Sequence, residues 1–274
     1  MSEYYEMYMR CFPEYPTTLE NFQSLLRPDL AHIIERREDG RLLGFALVHD
    51  GSIPLLCVDE SCRGRGIGSA LLEESECYLR ERGAENVSIG CGPHYLLQGV
   101  PQGPAVSFFE KRGYTAEWSS INMALDLGGF QHDQLSIPPA PAGTCYRFAD
   151  DGDIPALLKA VEAAEDGWVD IFAHCADPIL LAELDGVIAG FEILSVDGGY
   201  FMAPGERVGS VGCVGVVPDK RERGIGLAMV AQGVEWLKEQ GCTQIELRYT
   251  WLESWYGKLG FKTVSRQWMD EKKL

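Results

Sequence analysis

Two stretches of the chain carry apolar residues at helical spacing directly behind a glycine-rich turn. In residues 69–83, SALLEESECYLRERG, the apolar positions are Leu71, Leu72, Cys77 and Leu79; in residues 227–241, LAMVAQGVEWLKEQG, they are Met229, Val230, Val234, Trp236 and Leu237. Such stripes among charged positions predict amphipathic helices, and the closing Gly83 and Gly241 suit left-handed C-caps. Continuous apolar runs precede the turns (IPLLCV, SVGCVGVV) and further strand-like segments follow the helices (AENVSIG, CTQIELRY). Each stretch therefore reads strand, turn, helix, strand.

The two stretches are copies. CRGRGIG at 62–68 aligns with KRERGIG at 220–226, an offset of 158 (224 − 66), and the same offset carries Gly83 onto Gly241. Further on, SFFEKRGY at 107–114 matches SWYGKLGF at 254–261, now at an offset of 147 (260 − 113). The difference places 11 extra residues (158 − 147) in the first copy, in the loop CGPHYLLQGVPQG. The second copy opens with the strand CYRFA, the helix DIPALLKAVEAAE and two strands around the turn Asp185-Gly186; the first opens on helical EYYEMYMRCF and LENFQSLL, without that strand. Between them LGGFQHDQLSIPPAPAGT is rich in Gly and Pro and reads as a linker. The expected division is a first domain at 1–126, a linker at 127–143 and a second domain at 144–274.

Composition narrows the class. A chain of 274 residues with 46% hydrophobic and 24% charged residues is long enough for two globular cores, and no apolar run reaches the roughly 18 residues that span a bilayer. The expectation is a cytoplasmic protein with no membrane partner; a homodimer is left open. A net charge of −17 disfavours nucleic acid, which rewards clustered Lys and Arg. Nine cysteines without CxxC spacing and five scattered histidines point to neither a disulfide framework nor a metal site. Cys91 and His94 lie three residues apart, but no third orienting group accompanies them.

A glycine-rich turn leading into a helix presents backbone N–H groups at the positive end of the helix dipole, which suits a phosphate. Neither copy has the GxGxxG of a dinucleotide fold or the GK[ST] of a P-loop. What they share is R-x-x-G-x-G: Arg63, Gly66 and Gly68, then Arg221, Gly224 and Gly226.

With its strand, VVPDKRERGIG, amphipathic helix and later WYGKLGF, the chain resembles the GNAT superfamily of acetyl-CoA-dependent N-acetyltransferases. The likeness covers residues from about 20 to 120 and 144 to 268. It implies an α/β (α+β) fold with a mixed sheet, two tandem GNAT domains of the acyl-CoA N-acyltransferase type, and acetyl-CoA (coenzyme A) as cosubstrate with no metal. By resemblance, the pyrophosphate and pantetheine fall to Val216, Val217, Arg221, Glu222, Arg223, Gly224, Ile225 and Gly226. In the first copy they fall to Val58, Arg63, Gly64, Arg65, Gly66, Ile67 and Gly68. Where relatives often carry an Asn, Gln102 and Tyr249 stand.

The resemblance also assigns the chemistry. Relatives use a Tyr in the helix after the fifth strand to protonate the leaving thiolate; the second copy has Tyr256 there and the first has Phe109, which has no proton to give. The expectation is a catalytic second domain and a degenerate first one, moving acetyl to the primary amine of a small molecule by direct attack in a ternary complex. The alternative for Tyr256 is a packing aromatic. Glu246 and Glu192 are candidate general bases, each otherwise a partly exposed strand carboxylate. Glu165, Asp166, Trp168 and Asp170 would frame the amine pocket, or form a solvated acidic loop. A rival function is coenzyme A sensing without turnover; another has both domains active on different acceptors.

Overall fold

The computed structural model describes residues 2–26, 29, 31–91, 96–202 and 205–274. His94 lies outside the described residues. The chain forms two compact units: Met1–Ile121 with Tyr200–Pro204 and Ser265–Leu274, and Asn122–Gly199 with Gly205–Val264. Contacts thus divide the chain differently from the repeat boundary. The last ten residues and a short piece near 200 belong with the first copy, and Asn122–Asp126 with the second.

The first unit begins with α1 (Ser2–Cys11) and α2 (Leu19–Leu25), the latter capped by Thr18, whose Oγ1 accepts from the Asn21 N–H at 3.1 Å. Strands β1 (His32–Glu38), β2 (Arg41–His49) and β3 (Ser52–Val58) pair antiparallel in sequence order. After the turn, α3 (Ile67–Glu81) crosses back so that β4 (Asn86–Ile89) lies parallel to β3, and β5 (Val100–Pro101), α4 (Pro104–Glu110) and β6 (Thr115–Asp126) follow. The helix buries Leu71, Leu72, Ser75 and Leu79 against β2 and β3; Cys77, expected on this stripe, is exposed. Beside β4 runs the end of the chain's last strand, with Glu271 opposite Ser88 and Lys273 opposite Asn86. Lys272 Nζ holds both oxygens of Glu76 at 2.9 and 2.8 Å, and Gln267 Oε1 accepts from the N–H groups of Gln98 and Gly99. These bonds explain why residues 265–274 count with the first unit.

The second unit repeats the plan with one strand more at its start. β7 (Thr144–Phe148) is followed by α5 (Ile154–Ala164), α6 (Val169–Ala173), β8 (Ile179–Leu184) and β9 (Val187–Ser195). The hairpin between β8 and β9 turns on Asp185 and Gly186, both at positive φ, as its sequence predicts. β10 (Val208–Val216) pairs antiparallel with β9, α7 (Ile225–Glu239) crosses over, and β11 (Gln244–Thr250) lies parallel to β10. α8 (Glu253–Gly257) and β12 (Lys262–Lys273) close the chain. Antiparallel and parallel pairs within each unit make the mixed sheet of the expected α/β class.

The segment 127–143 is not a loose spacer. Leu127 and Phe130 are buried, Lys238 Nζ donates to the Phe130 carbonyl at 2.6 Å, and His132 Nδ1 lies 3.4 Å from Gln232 Nε2. The segment runs along α7 from its C-terminal end toward its start.

Candidate active site

Each copy builds its turn in the same way. The strand ends on a Val whose carbonyl takes a bond from the arginine five residues on: Arg63 Nε to Val58 O at 3.3 Å, and Arg221 Nε to Val216 O at 2.9 Å. Gly66 and Gly224 then take left-handed φ values of 84° and 82° and serve as N-caps that offer the helix no side chain. First-turn N–H groups of a helix have no partners within it, so α3 and α7 each open on uncapped donors at the positive end of the dipole. Behind each turn a glycine meets an aromatic ring: a Cβ on Gly68 would lie 3.4 Å from Phe108, and one on Gly226 3.1 Å from Trp255. Arginine, donors and a backbone bare of side chains together fit an anionic phosphate ester.

The copies differ in what surrounds this cradle. Gly66 is exposed, and a Cβ there would meet no atom of the described residues within 4 Å, whereas a Cβ on Gly224 would lie 2.8 Å from the carbonyl oxygens of both Pro138 and Pro139. Glu222, a non-glycine residue at φ 62°, holds the place that Gly64 fills in the first copy. Arg221 also reaches the Ala164 carbonyl at 3.2 Å, tying the turn to the end of α5.

Beside Trp255, the ring behind the second turn, lies Tyr256, buried on α8 with its ring edge-on to those of Trp255 and Phe261. Burial, with the Glu192 carboxyl nearby, pushes its hydroxyl well above the ordinary tyrosine range, so it keeps its proton. Phe109 occupies the matching place on α4 with the same exposure of 6%.

Glu192 on β9 is fully buried, neither oxygen has a hydrogen-bond partner among the described residues, and desolvation pushes its pKa up to about 8. It is therefore not the partly exposed strand carboxylate considered from sequence. Its Oε1 presses against α7, 2.3 Å from where a Cβ on Gly233 would sit. A glycine at 233 makes room for this carboxyl. Glu246 on β11 is buried too and lies 3.4 Å from Arg248 Nε. The frame residues divide: Trp168, like Val217 and Cys213, packs on the core cluster that includes Phe172 and Phe191, while Glu165, Asp166 and Asp170 are exposed. Cys213 sits at φ 48° where the β9–β10 register shifts between Gly212 and Gly215, an irregularity that glycines within a strand favour.

Sequence reasoning missed Pro138, Pro139 and Ala164, which act through backbone carbonyls and leave no side-chain signature. It also missed Tyr146 on β7, whose hydroxyl is pushed up to about 12 by burial and by Glu192.

The sequence profile of the acetyltransferase (GNAT) family matches twice, over residues 1–114 and 147–261. The chain belongs to this family. A mycothiol acetyltransferase of Clavibacter michiganensis subsp. michiganensis is 29% identical over 240 residues, 79% of this chain and 71% of the relative. The mycothiol acetyltransferase of Cellulomonas flavigena is 40% identical over 234 residues, 78% of this chain and 64% of its own. Among solved structures, a tandem GNAT protein from the clavulanic acid biosynthesis pathway superposes with a TM-score of 0.73 at 16% identity, covering 99% of this chain and 94% of that one. A GCN5-related glucosamine N-acetyltransferase region of a fungal GH3 β-N-acetylglucosaminidase gives 0.81 at 22%, covering 97% of this chain and 36% of that one. These likenesses show the fold: a tandem GNAT arrangement. The protein is an N-acetyltransferase of a family that uses acetyl-CoA as cosubstrate. Among the described residues no helix is long and apolar enough to cross a membrane.

Proposed function

We propose that the second copy carries the reaction, transferring acetyl to the primary amine of a small molecule by direct attack in a ternary complex. The observation that carries this is Tyr256: it is buried beside Trp255, the ring behind the second turn, and holds its proton, while the first copy has Phe109 in its place. In this reading the N–H groups of residues 224–226 and Arg221 hold the pyrophosphate, and the Val216 and Val217 backbone aligns the pantetheine arm. Glu222, Arg223 and Ile225 complete that turn. Acetyl-CoA supplies an acetyl group activated as a thioester.

Tyr256 donates its proton to the departing sulfur, which a phenol can do and a phenyl ring cannot. Glu246, beside Arg248, is the carboxyl that can take the amine proton, directly or through water; Glu192, kept protonated by burial, can take one only from its ionised form, which is gained as pH rises through about 8. Glu165, Asp166 and Asp170 draw a cationic amine toward the second copy's site, and Trp168 supplies an apolar wall. The name of the relatives supports a mycothiol-related acceptor as the first to try. In the first copy Val58, Arg63, Gly64, Arg65, Gly66, Ile67 and Gly68 form a second cradle, proposed as a binding site without turnover.

The test follows thiol release from acetyl-CoA with a panel of small amines. The reading expects release that depends on the amine. It is overturned if acetyl-CoA binds and no primary amine is acetylated, which is the outcome the sensing alternative requires.

A further inference from the structure

Arg221 ties the second turn to the end of α5 through the Ala164 carbonyl; in the first copy the corresponding arginine meets a thiol. Cys11, the last residue of α1, directs its Sγ to the Val58 carbonyl at 3.4 Å, the same oxygen that accepts from Arg63 Nε at 3.3 Å. Cys57, on β3, belongs to the buried cluster under α1 against which Cys11 packs, and the two side chains are close enough to influence one another's ionisation. Cys57 is buried and Cys11 half-buried, so Cys11 is the more accessible of the two. The repeat makes this specific to the first copy, because residue 215, the counterpart of Cys57 (57 + 158), is a glycine.

A hydrogen bond with Cys57, together with the charge of Arg63, lowers the Cys11 thiol to about 7 despite its burial, while burial pushes Cys57 well up. This division of labour suits an attacking thiolate and a resolving thiol. Cys77 and Cys145 are exposed, and each directs its thiol to a carboxylate, Glu81 at 3.7 Å and Glu183 at 3.6 Å.

We propose that Cys11 and Cys57 are a thiol–disulfide exchange site for low-molecular-weight disulfides, closing into a bond that staples α1 to β3 at the entrance of the first turn. In the first step the Cys11 thiolate attacks one sulfur of R–S–S–R, giving Cys11–S–S–R and expelling R–S⁻. In the second, Cys57 gives up its proton to solvent and attacks the Cys11 sulfur, expelling the other R–S⁻. Two protein thiols become one disulfide, and the reagent is reduced to two R–SH that carry the two protons. The inference is independent of the acetyl-transfer reading, since exchange needs no cosubstrate.

The experiment treats the full chain with 2-hydroxyethyl disulfide at neutral pH, quenches at intervals with iodoacetamide and maps peptides by mass spectrometry. The expected result is a Cys11–Cys57 cross-link that forms about tenfold or more faster than adducts at Cys77 and Cys145. Cys57→Ser should leave the reagent trapped on Cys11, and Arg63→Gln should slow the attack. A stable reagent adduct on Cys11 in the unsubstituted chain, or faster reaction at Cys77 and Cys145, overturns the proposal. Because the unsubstituted chain decides, the test does not depend on the variants folding.

Discussion

The turns at Gly66 and Gly224 share their φ angles, their arginine-to-strand bond and the aromatic ring behind them, yet one lies open and the other lies under two proline carbonyls. The first copy carries the thiols of Cys11 and Cys57 and the phenyl ring of Phe109; the second carries the hydroxyl of Tyr256 and the buried carboxyl of Glu192. The cradle is a backbone construction that duplication copies intact. The chemistry lies in side chains that change without disturbing it.

The comparison between Tyr256 and Phe109 predicts the largest effect. Both rings are equally buried, so removing the hydroxyl alone should leave packing untouched. Tyr256→Phe is expected to lower amine-dependent turnover by about 100-fold, with acetyl-CoA affinity by calorimetry unchanged. Unchanged turnover would remove Tyr256 from the mechanism and leave it as a packing aromatic.

Next come the glycines themselves. Alanine at either position pays for a left-handed φ, about 1–2 kcal/mol. At Gly224 the methyl must also displace the carbonyls of Pro138 and Pro139, a further overpacking cost of about 1–3 kcal/mol. Denaturant unfolding should therefore rank Gly224→Ala well below Gly66→Ala in stability. Equal losses would mean that the linker gives way without resistance and does not brace the second turn.

A third contrast sits beneath the helices. The repeat sets Glu192 on Ala46 (192 − 46 = 146, through the paired GFE and GFA) and Gly233 on Ser75 (233 − 75 = 158), and all but the glycine are fully buried side chains. The carboxyl has been gained where the facing helix residue was reduced to glycine. With a native pKa raised to about 8 against about 4.3 unfolded, Glu192 keeps its proton through a range in which the unfolded chain has lost it. Its contribution is fully present below about pH 4.3 and is lost as pH rises through 8. Thermal melts should show a fall in Tm from pH 5 to pH 8 that Glu192→Gln reduces; a fall of the same size in the variant would place its cause elsewhere.

How much of this was legible in the sequence follows the same line. Both helices, the strands around them and the Asp185-Gly186 hairpin are written in apolar periodicity and turn residues, and the duplicated R-x-x-G-x-G marks both left-handed turns at the helix starts. The burial of Glu192 was not legible, because its signal is a glycine 41 residues away (233 − 192) on another element. Nor was the placement of residues 265–274 with the first unit, which rests on partners such as Glu76 and Gln98 that no local pattern marks. The linker looked featureless since Gly and Pro hide the two apolar anchors, Leu127 and Phe130. Cys11 and Cys57 stand 46 residues apart (57 − 11), outside any spacing rule for paired thiols.

The smallest predicted effect concerns position 222. In the first copy the second residue of the turn is Gly64 at φ 77°; in the second it is Glu222 at φ 62°. A Cβ in this region crowds the following carbonyl, so Glu222 holds strain that Gly64 does not. Glycine also gains freedom in the unfolded chain, which offsets part of the relief. The net expectation for Glu222→Gly is a gain of about 0.5–1 kcal/mol in unfolding free energy. Removing a carboxylate beside the phosphate cradle should at the same time tighten acetyl-CoA binding modestly at low salt, and less so at high salt. If stability falls instead, Glu222 is held by contacts that outweigh its strain, and the two turns differ in more than the residues that line them.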